Sequence, residues 1–262
     1  MKITILGSGA SSGTPSIESG WGACDPENPR NRRRRPSLLI ETRGRRLLID
    51  TSPDLREQLL DAEVTHLDAV ILTHGHADHL HGIDDIRGIN RRMGAAIDLW
   101  ADHHTLATVA ERFAYVVAPL REGSTVYYKP TLVPHGYTAG ETFAAAGVEV
   151  VSFEQDHGFS RTHGLKFGNF AYTTDLVRLP EESIEFLKGR VDTWIVGAFA
   201  WEPHPTHLHV DAVLHLRERL GMPRRTIITH MSNRIDYQAL TDYLPEGVEA
   251  AYDGMVVEVP AG

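Results

Sequence analysis

Residues 74–79, which read HGHADH, constrain this 262-residue chain more than any other stretch of its sequence. Three imidazoles and one carboxylate lie within six residues, directly after a run of apolar residues. Packing alone gives no reason to place so many titratable groups behind a buried strand. Neutral imidazole and carboxylate are ligands that zinc, manganese and iron accept. We therefore expect His74 and His76 to bind one metal ion, and Asp78 and His79 to point together at a second.

Polar residues also follow several other predicted strands. His157, Asp175 and His230 each lie at or just past the end of one, and they are the remaining candidate ligands. The segment VILTH, which ends at His74, resembles TIITH, which ends at His230. The strand over residues 46–50 likewise ends in an acid, Asp50. Strands that deliver polar groups at one end predict a site along one edge of a sheet.

The order of elements alternates between strands and helices, which predicts an α/β protein with helices covering the faces of its sheets. Helices are expected over residues 54–62, 79–93, 180–187 and 206–220. Strands are expected over residues 2–6, 37–41, 46–50, 69–73, 97–101, 125–128, 131–133, 148–154, 168–173, 193–196, 226–229 and 255–259. The sequence contains no low-complexity linker and no tandem repeat, so residues 1–262 are predicted to form a single domain.

Composition excludes several classes of protein. With 26 Lys and Arg against 35 Asp and Glu, the net charge is −9, which disfavours a globally basic nucleic-acid binder. Cys24 is the single cysteine, so neither an internal disulfide nor a metal site of several cysteines can form. No apolar run approaches the ~18 residues of a membrane span, and the N-terminus lacks the pattern of a secretory signal. We expect a cytoplasmic protein without a membrane partner.

Five arginines crowd into residues 30–35 of this otherwise acidic chain. They indicate either a solvated loop or a patch that faces an anion, because the guanidinium fork matches phosphate oxygens. Arg34 and Arg35 are the candidate substrate contacts within this run. A single phosphate or a small nucleotide is the kind of ligand that such a patch would hold.

Taken together, the motif at residues 74–79 and the later candidate ligands resemble the metallo-β-lactamase-fold hydrolase superfamily, from about residue 3 to about residue 257. The resemblance implies an αββα sandwich with a dinuclear metal site at the edge between the two sheets. It implies that His74, His76 and His157 bind one ion, that Asp78, His79 and His230 bind the other, and that Asp175 bridges them. Two such cations, which could be zinc, manganese or iron, lower the pKa of a shared water and need no nucleophilic side chain.

Residues 7–15, GSGASSGTP, and residues 50–56, DTSPDLR, resemble the PhnP-type phosphodiesterases, which are related to RNase Z. This resemblance implies hydrolysis of a small cyclic or nucleotide-like phosphodiester by a hydroxide that bridges the metals. Asp78 and His207 are then the candidate catalytic residues. His207, expected at the start of the helix over residues 206–220, would protonate the leaving oxygen. Ser232 is a candidate phosphate contact.

Asp50 has two interpretations, since it either hydrogen-bonds a ligand histidine or simply ends its strand. The sequence also departs from the PhnP pattern, because those enzymes look to carry a structural zinc on three cysteines and a histidine. Here Cys24 stands alone and Asn233 lies three residues after His230, so we predict no third metal. The excursion over residues 16–36 is instead expected to be held by packing and by its arginines.

Other functions stay open at this stage. No basic insertion like the protruding arm of RNase Z is visible, so a stable nucleic-acid complex is not expected. A thioesterase or lactonase could use the same metals, and a metal or nucleotide sensor could bind without turnover. A homodimer is left open.

Overall fold

The computed structural model describes residues 1–260, which build two seven-stranded sheets with helices around them. The strands are β1 (Lys2–Gly7), β2 (Ser37–Thr42), β3 (Arg45–Ile49), β4 (Ala69–Ile71), β5 (Ile97–Asp102), β6 (Leu132–Tyr137), β7 (Thr142–Ala145), β8 (Val148–Asp156), β9 (Arg161–Phe167), β10 (Phe170–Thr173), β11 (Thr193–Gly197), β12 (Arg225–Thr229), β13 (Val248–Ala250) and β14 (Val256–Glu258). The helices are α1 (Leu55–Asp61), α2 (Ala77–Leu80), α3 (Ile86–Met93), α4 (His103–Arg112), α5 (Ala114–Val117), α6 (Glu181–Leu187), α7 (Val210–Arg219) and α8 (Tyr237–Tyr243), with 3₁₀ turns at Pro29–Asn31 and Ile83–Asp85. The predicted single domain runs to residue 262, and its last two residues lie outside this description.

The two sheets have matching topologies. The first has the strand order β14-β1-β2-β3-β4-β5-β6, and the second has the order β13-β12-β11-β10-β9-β8-β7. Four neighbouring strands run parallel in each sheet, β3 to β6 in the first and β10 to β13 in the second. The carboxyl ends of parallel strands meet at one edge, and that edge carries the polar groups described below.

Apolar side chains that alternate along a strand belong to two different cores, one between the two sheets and one between a sheet and its helices. Leu38 and Ile40 of β2 lie in a core shared with residues of the second sheet, whereas Leu39 lies in a core shared with the helices on the outer face. Because successive side chains of a strand point to opposite faces, one apolar strand serves both layers. Burying each of these side chains contributes roughly 1.5–3 kcal/mol. The predicted αββα sandwich is therefore confirmed.

Three sequence-based elements need correction. The helix predicted over residues 79–93 is divided into α2, a 3₁₀ turn and α3. The break falls at Gly82, where an added Cβ would lie 1.8 Å from the Ser52 carbonyl oxygen. The strand predicted over residues 125–128 is an exposed turn, in which the Tyr128 amide donates to the Val126 carbonyl. The helix predicted from Thr206 begins only at Val210.

Candidate metal centre

The loop between β4 and α2 carries His74 and His76, and α2 itself carries Asp78 and His79. The fold fixes the shape of the loop from both sides. The Tyr137 hydroxyl donates to the Leu72 carbonyl oxygen at 3.0 Å, at the start of the loop. Helix α4 packs against the loop so closely that an added Cβ at Gly75 would lie 3.1 Å from Thr108 Cγ2. Because Gly75 has no side chain, α4 can pack directly against the loop and support it.

The structure brings all seven candidate ligands together in three overlapping groups, in each of which the ligand atoms lie within 4.8 Å of one another. The groups are His74, His76 and His157; Asp78, His79, Asp175 and His230; and His157, Asp175 and His207. Asp175 joins them, because its Oδ2 lies 2.9 Å from His79 Nε2 and its Oδ1 lies 3.8 Å from His157 Nε2. This is the placement expected of a carboxylate that two cations share.

Several buried polar atoms at this point have no hydrogen-bond partner. They are the Nε2 atoms of His74 and His79, both ring nitrogens of His230 and the Oδ2 atom of Asp78. Buried polar groups without partners are rare because each costs free energy. Divalent cations satisfy imidazole nitrogens and carboxylate oxygens that are grouped in this way, so the residues present fit divalent metal ions.

Asp50 orients two of the histidines. Its fully buried carboxylate accepts from His79 Nδ1 at 2.6 Å and from the amide and hydroxyl of Thr73 at 2.8 Å. The Thr73 hydroxyl donates to Asp50, so it accepts from His74 Nδ1 at 3.0 Å. Both Nδ1 atoms thus carry the ring proton, and both Nε2 lone pairs face the centre. The structure favours the hydrogen-bonding interpretation of Asp50 over a simple strand end.

The backbone turns sharply where strands deliver these groups. Asp50, Asp175 and His230 follow β3, β10 and β12 with φ values of 62°, 51° and 56°. Residues other than glycine adopt this left-handed conformation seldom and at a cost, and such strain concentrates at functional sites. His157 follows β8 without that strain, and its Nδ1 donates to the Thr206 carbonyl at 2.7 Å, which leaves its Nε2 facing the centre.

The electrostatics of His74, His157 and Asp78 match the requirements of a ligand set. His79 differs: burial opposes its protonation, but the carboxylates of Asp175, Asp78 and Asp50 raise its pKa well above the usual value. Burial lowers the pKa of His74 well below its usual value and lowers the pKa of His157 to about 4. Burial opposes ionisation of Asp78, but the neighbouring imidazoles of His79 and His230 hold its pKa well below the usual value. A neutral imidazole and an ionised carboxylate are the forms that bind metals.

His207 lies beside this cluster, although not where the sequence predicts it. It belongs to the loop before α7, because the Leu208 amide donates to the Leu176 carbonyl and residues 200 and 209 form a β-bridge. Its Nε2 lies 3.0 Å from Asp175 Oδ1, and its ring stacks on that of His230 at 5.2 Å. The side chain is 15% exposed and so can reach a substrate.

The predicted substrate contacts have protein partners instead. Ser232 Oγ donates to the Phe199 carbonyl at 2.6 Å. Arg35 binds Asp54 through Nε at 2.9 Å and Nη2 at 2.7 Å, and Arg34 is ion-paired with Asp61. The assignment of these three residues to substrate binding stays a prediction that the geometry does not favour.

The excursion over residues 16–36 is tied to the loop after His230. Asn233 Nδ2 donates to Ser19 Oγ at 2.8 Å and to the Gly20 carbonyl at 2.9 Å. Arg33 is only 2% exposed, and it donates to the Ser232 carbonyl at 3.1 Å and to the Ile235 carbonyl at 2.7 Å. Hydrogen bonds of one asparagine and one arginine thus connect the excursion to the site.

Comparison with known proteins identifies the family. Residues 45–231 match the Beta-lactamase superfamily domain. The solved structure of a diphosphatase from the PhnP family superimposes with a TM-score of 0.88 and 33% identity, over 99% of this chain and 98% of that one. The chain belongs to the PhnP family of the beta-lactamase superfamily. The chain therefore has the metallo-β-lactamase fold, as the sequence resemblance implies, and its cluster of histidines and aspartates fits a divalent metal cofactor.

Two curated relatives carry different names. The octanoyltransferase of Porphyromonas gingivalis (strain ATCC BAA-308 / W83) is 33% identical over 257 residues, which make up 97% of this chain but 51% of that protein. The ribonuclease Z of Bradyrhizobium sp. (strain ORS 278) is 29% identical over 150 residues, 56% of this chain and 48% of that protein. The chain spans about half the length of these curated relatives. No helix within residues 1–260 is both long and apolar enough to cross a bilayer.

Proposed function

We propose that this chain hydrolyses a small cyclic or nucleotide-like phosphodiester at a dinuclear metal centre. The observation that carries the proposal is the position of Asp175, whose carboxylate lies within 3.8 Å of ring nitrogens of His79, His157 and His230. One carboxylate placed between two histidine groups fits two cations better than one. The diphosphatase and the ribonuclease Z among the relatives support a substrate with a bond to phosphorus.

The ligand sets follow from the three groups. His74, His76 and His157 would hold one ion, and Asp78, His79 and His230 would hold the other, with Asp175 on both. Zinc or manganese ions, when bound, would supply positive charge to the phosphoryl oxygens and lower the pKa of a water. Asp50 and the Thr206 carbonyl keep the ring tautomers that this binding needs.

His207 would supply the proton for the leaving oxygen. Its Nδ1 lies 2.8 Å from Thr206 Oγ1, which fixes the ring, and its Nε2 faces Asp175 Oδ1. A positioned imidazolium that donates to the departing alkoxide typically contributes about 10²–10⁴-fold.

An acyl hydrolase on the same centre is the second candidate, and the octanoyltransferase name is the observation that favours it. The chain covers 51% of that protein, so the remaining half offers a separate place for the acyl-transfer activity. We therefore rank the phosphodiesterase first.

The deciding experiment is turnover of bis(4-nitrophenyl) phosphate, a thioester and a lactone by chelator-treated protein reloaded with Zn²⁺ or Mn²⁺. We expect metal-restored phosphodiester turnover and a fall in kcat of about 100-fold in His207→Ala. His204→Ala is the matched control, because this ring lies in the same loop, 5.2 Å from that of His207, but outside the three ligand groups.

Three outcomes would count against the proposal. Turnover of the thioester or the lactone alone would replace the phosphodiesterase by the acyl hydrolase. Equal losses in the two histidine variants would remove the specific role of His207. Tight metal binding without turnover of any of the three substrates would favour a sensor.

A further inference from the structure

A cleft of about 470 Å³ opens beside the candidate metal centre on the side of His76, and the proposed chemistry does not use it. Helix α4, the β8–β9 turn and the start of β9 form its walls, with His104, Thr108, Arg112, Phe159, Ser160 and Arg161 in the lining. Its volume lies in the range of small-molecule sites, about 300–1,000 Å³. A substrate that reacts at the metals would extend into this space.

Phe159 stands at the mouth of the cleft with 92% of its surface exposed. The two residues before it are held against residues 205–206, His157 by its hydrogen bond and Gly158 by a close approach in which an added Cβ would lie 2.7 Å from the Pro205 carbonyl oxygen. The exposed phenyl ring of Phe159, beside the polar groups of the cleft, is a surface on which the planar ring of a ligand can stack.

Arg112 supplies charge that is not balanced inside the protein. It is the last residue of α4, and among residues 1–260 its guanidinium group is bound only by the Gly75 carbonyl oxygen, at 3.4 Å. Arg161 on the same cleft is ion-paired with Glu154. Asp102, the acid in the lining, accepts from the amides of His104 and Thr105 and so caps α4. Within the part of the chain that the structure describes, Arg112 is therefore the group in this cleft that offers an anion a free cation, although Asp102 lies in the same lining and the chain as a whole carries a net charge of −9.

We infer that this cleft is a subsite for a nucleotide, whose base stacks on Phe159 and whose second phosphate group binds Arg112. The inference rests on the proposed function, because the reacting phosphodiester of the same molecule would lie at the metals. It narrows the substrate class from any small phosphodiester to a nucleoside diester that carries a further phosphate.

Three chromogenic diesters separate the two features. Methyl 4-nitrophenyl phosphate has neither, thymidine 5′-(4-nitrophenyl phosphate) has the base, and the same compound with a 3′-phosphate has both. We expect kcat/KM of the metal-loaded enzyme to rise along this series. Phe159→Leu should remove roughly 5–150-fold from the two nucleoside substrates and leave the methyl ester unchanged, and Phe159→Trp should restore the loss.

Arg112→Gln should lower the ratio of kcat/KM between the thymidine compound with the 3′-phosphate and the one without it by about 10–100-fold. Arg161→Gln is the matched control, because this arginine lines the same cleft but is already paired with Glu154. Binding of thymidine 3′,5′-bisphosphate, measured by calorimetry on the same metal-loaded proteins, gives a readout that does not need turnover. It should weaken in Phe159→Leu and in Arg112→Gln.

The outcomes distinguish the two proposals. Two outcomes overturn the nucleotide subsite and keep the phosphodiesterase. In the first, the methyl ester is hydrolysed but kcat/KM does not rise along the substrate series. In the second, kcat/KM for each substrate is the same in the wild type and in all variants. If no diester is hydrolysed, the proposed function fails. Bisphosphate binding that depends on Phe159 and Arg112 would then still support the subsite, and absence of binding would overturn it.

Discussion

The buried carboxylate of Asp50 gives the sharpest test of how the candidate centre is built. In Asp50→Asn the side chain keeps its size and loses its charge. Asparagine tolerates the left-handed backbone, φ 62° at this position, about as well as aspartate. The substitution therefore changes the hydrogen bonds and leaves the turn unstrained.

The magnitude follows from the contacts. Asp50 accepts hydrogen bonds from His79 Nδ1 at 2.6 Å and from the amide and hydroxyl of Thr73 at 2.8 Å. An asparagine has one acceptor oxygen, so its amide group must face one of these donors. The donor left without a partner costs about 1–3 kcal/mol of folding stability. Loss of a group that orients a ligand histidine typically lowers metal affinity 10–100-fold, or about 1.4–2.7 kcal/mol.

The assay is competition for Zn²⁺ against a chromogenic chelator, together with urea unfolding of the metal-free protein. Asp253→Asn is the matched control, because Asp253 also accepts from the amide and hydroxyl of Ser8 and from the Arg34 amide but contacts none of the candidate ligands. We expect both variants to lose stability and only Asp50→Asn to lose affinity. Equal zinc affinities for the wild type and Asp50→Asn would refute the assignment of Asp50.

Three further predictions concern the supports of the site. Arg33→Met should destabilise the metal-free protein by about 3 kcal/mol in urea unfolding, because buried carbonyl oxygens lose their donor; a change below 1 kcal/mol would contradict this. Gly75→Ala should weaken zinc binding by crowding Thr108, and Thr108→Ala should rescue it in the double variant; failure of the rescue would remove the steric explanation. Burial opposes ionisation of Asp54, but its hydrogen bonds with Arg35 outweigh this effect and lower its pKa. The pair therefore stabilises the fold at pH values above the unfolded pKa of Asp54, about 3.9. This stabilisation is lost as the pH falls through the lower pKa of the folded state. Asp54→Asn should thus lower the free energy of unfolding at pH 7 and lower it progressively less below about pH 5. An equal difference between the urea midpoints of the wild type and the variant at pH 7 and in this acidic range would disprove the pairing.

The sequence was sufficient to select residues that the structure brings together, because most of them are local signals at strand ends. Their role as metal ligands stays a prediction. Apolar runs that stop at Asp50, His74 and His230 indicate where a sheet edge carries polar groups, and the family resemblance supplies their order. The position of His207 was harder to predict. Residues 206–209 have a helical pattern in the sequence, but residues 206 and 207 form a bend, and Leu208 and His209 are held to Leu176 and Ala200 outside the helix.

The cleft could not be predicted from the sequence, for a different reason. Helix α4 was not predicted, so no pattern indicated that Arg112 returns to the loop at Gly75. The sequence instead indicates the arginine run over residues 30–35 as the anion site, because the density of charged residues can be read directly from a sequence. Whether a guanidinium group is already paired, as Arg35 is with Asp54, depends on contacts between residues distant in the chain.

The candidate ligands come from both sheets: residues 74–79 follow β4 of the first, and His157, Asp175 and His230 follow strands of the second. A bound cation is therefore a cross-link between the two halves of the sandwich, and its binding energy opposes their separation. At a free metal concentration of 100 times Kd, this linkage adds about 2.7 kcal/mol to the free energy of unfolding. Metal supply would then set how long the folded chain survives as well as how fast it works.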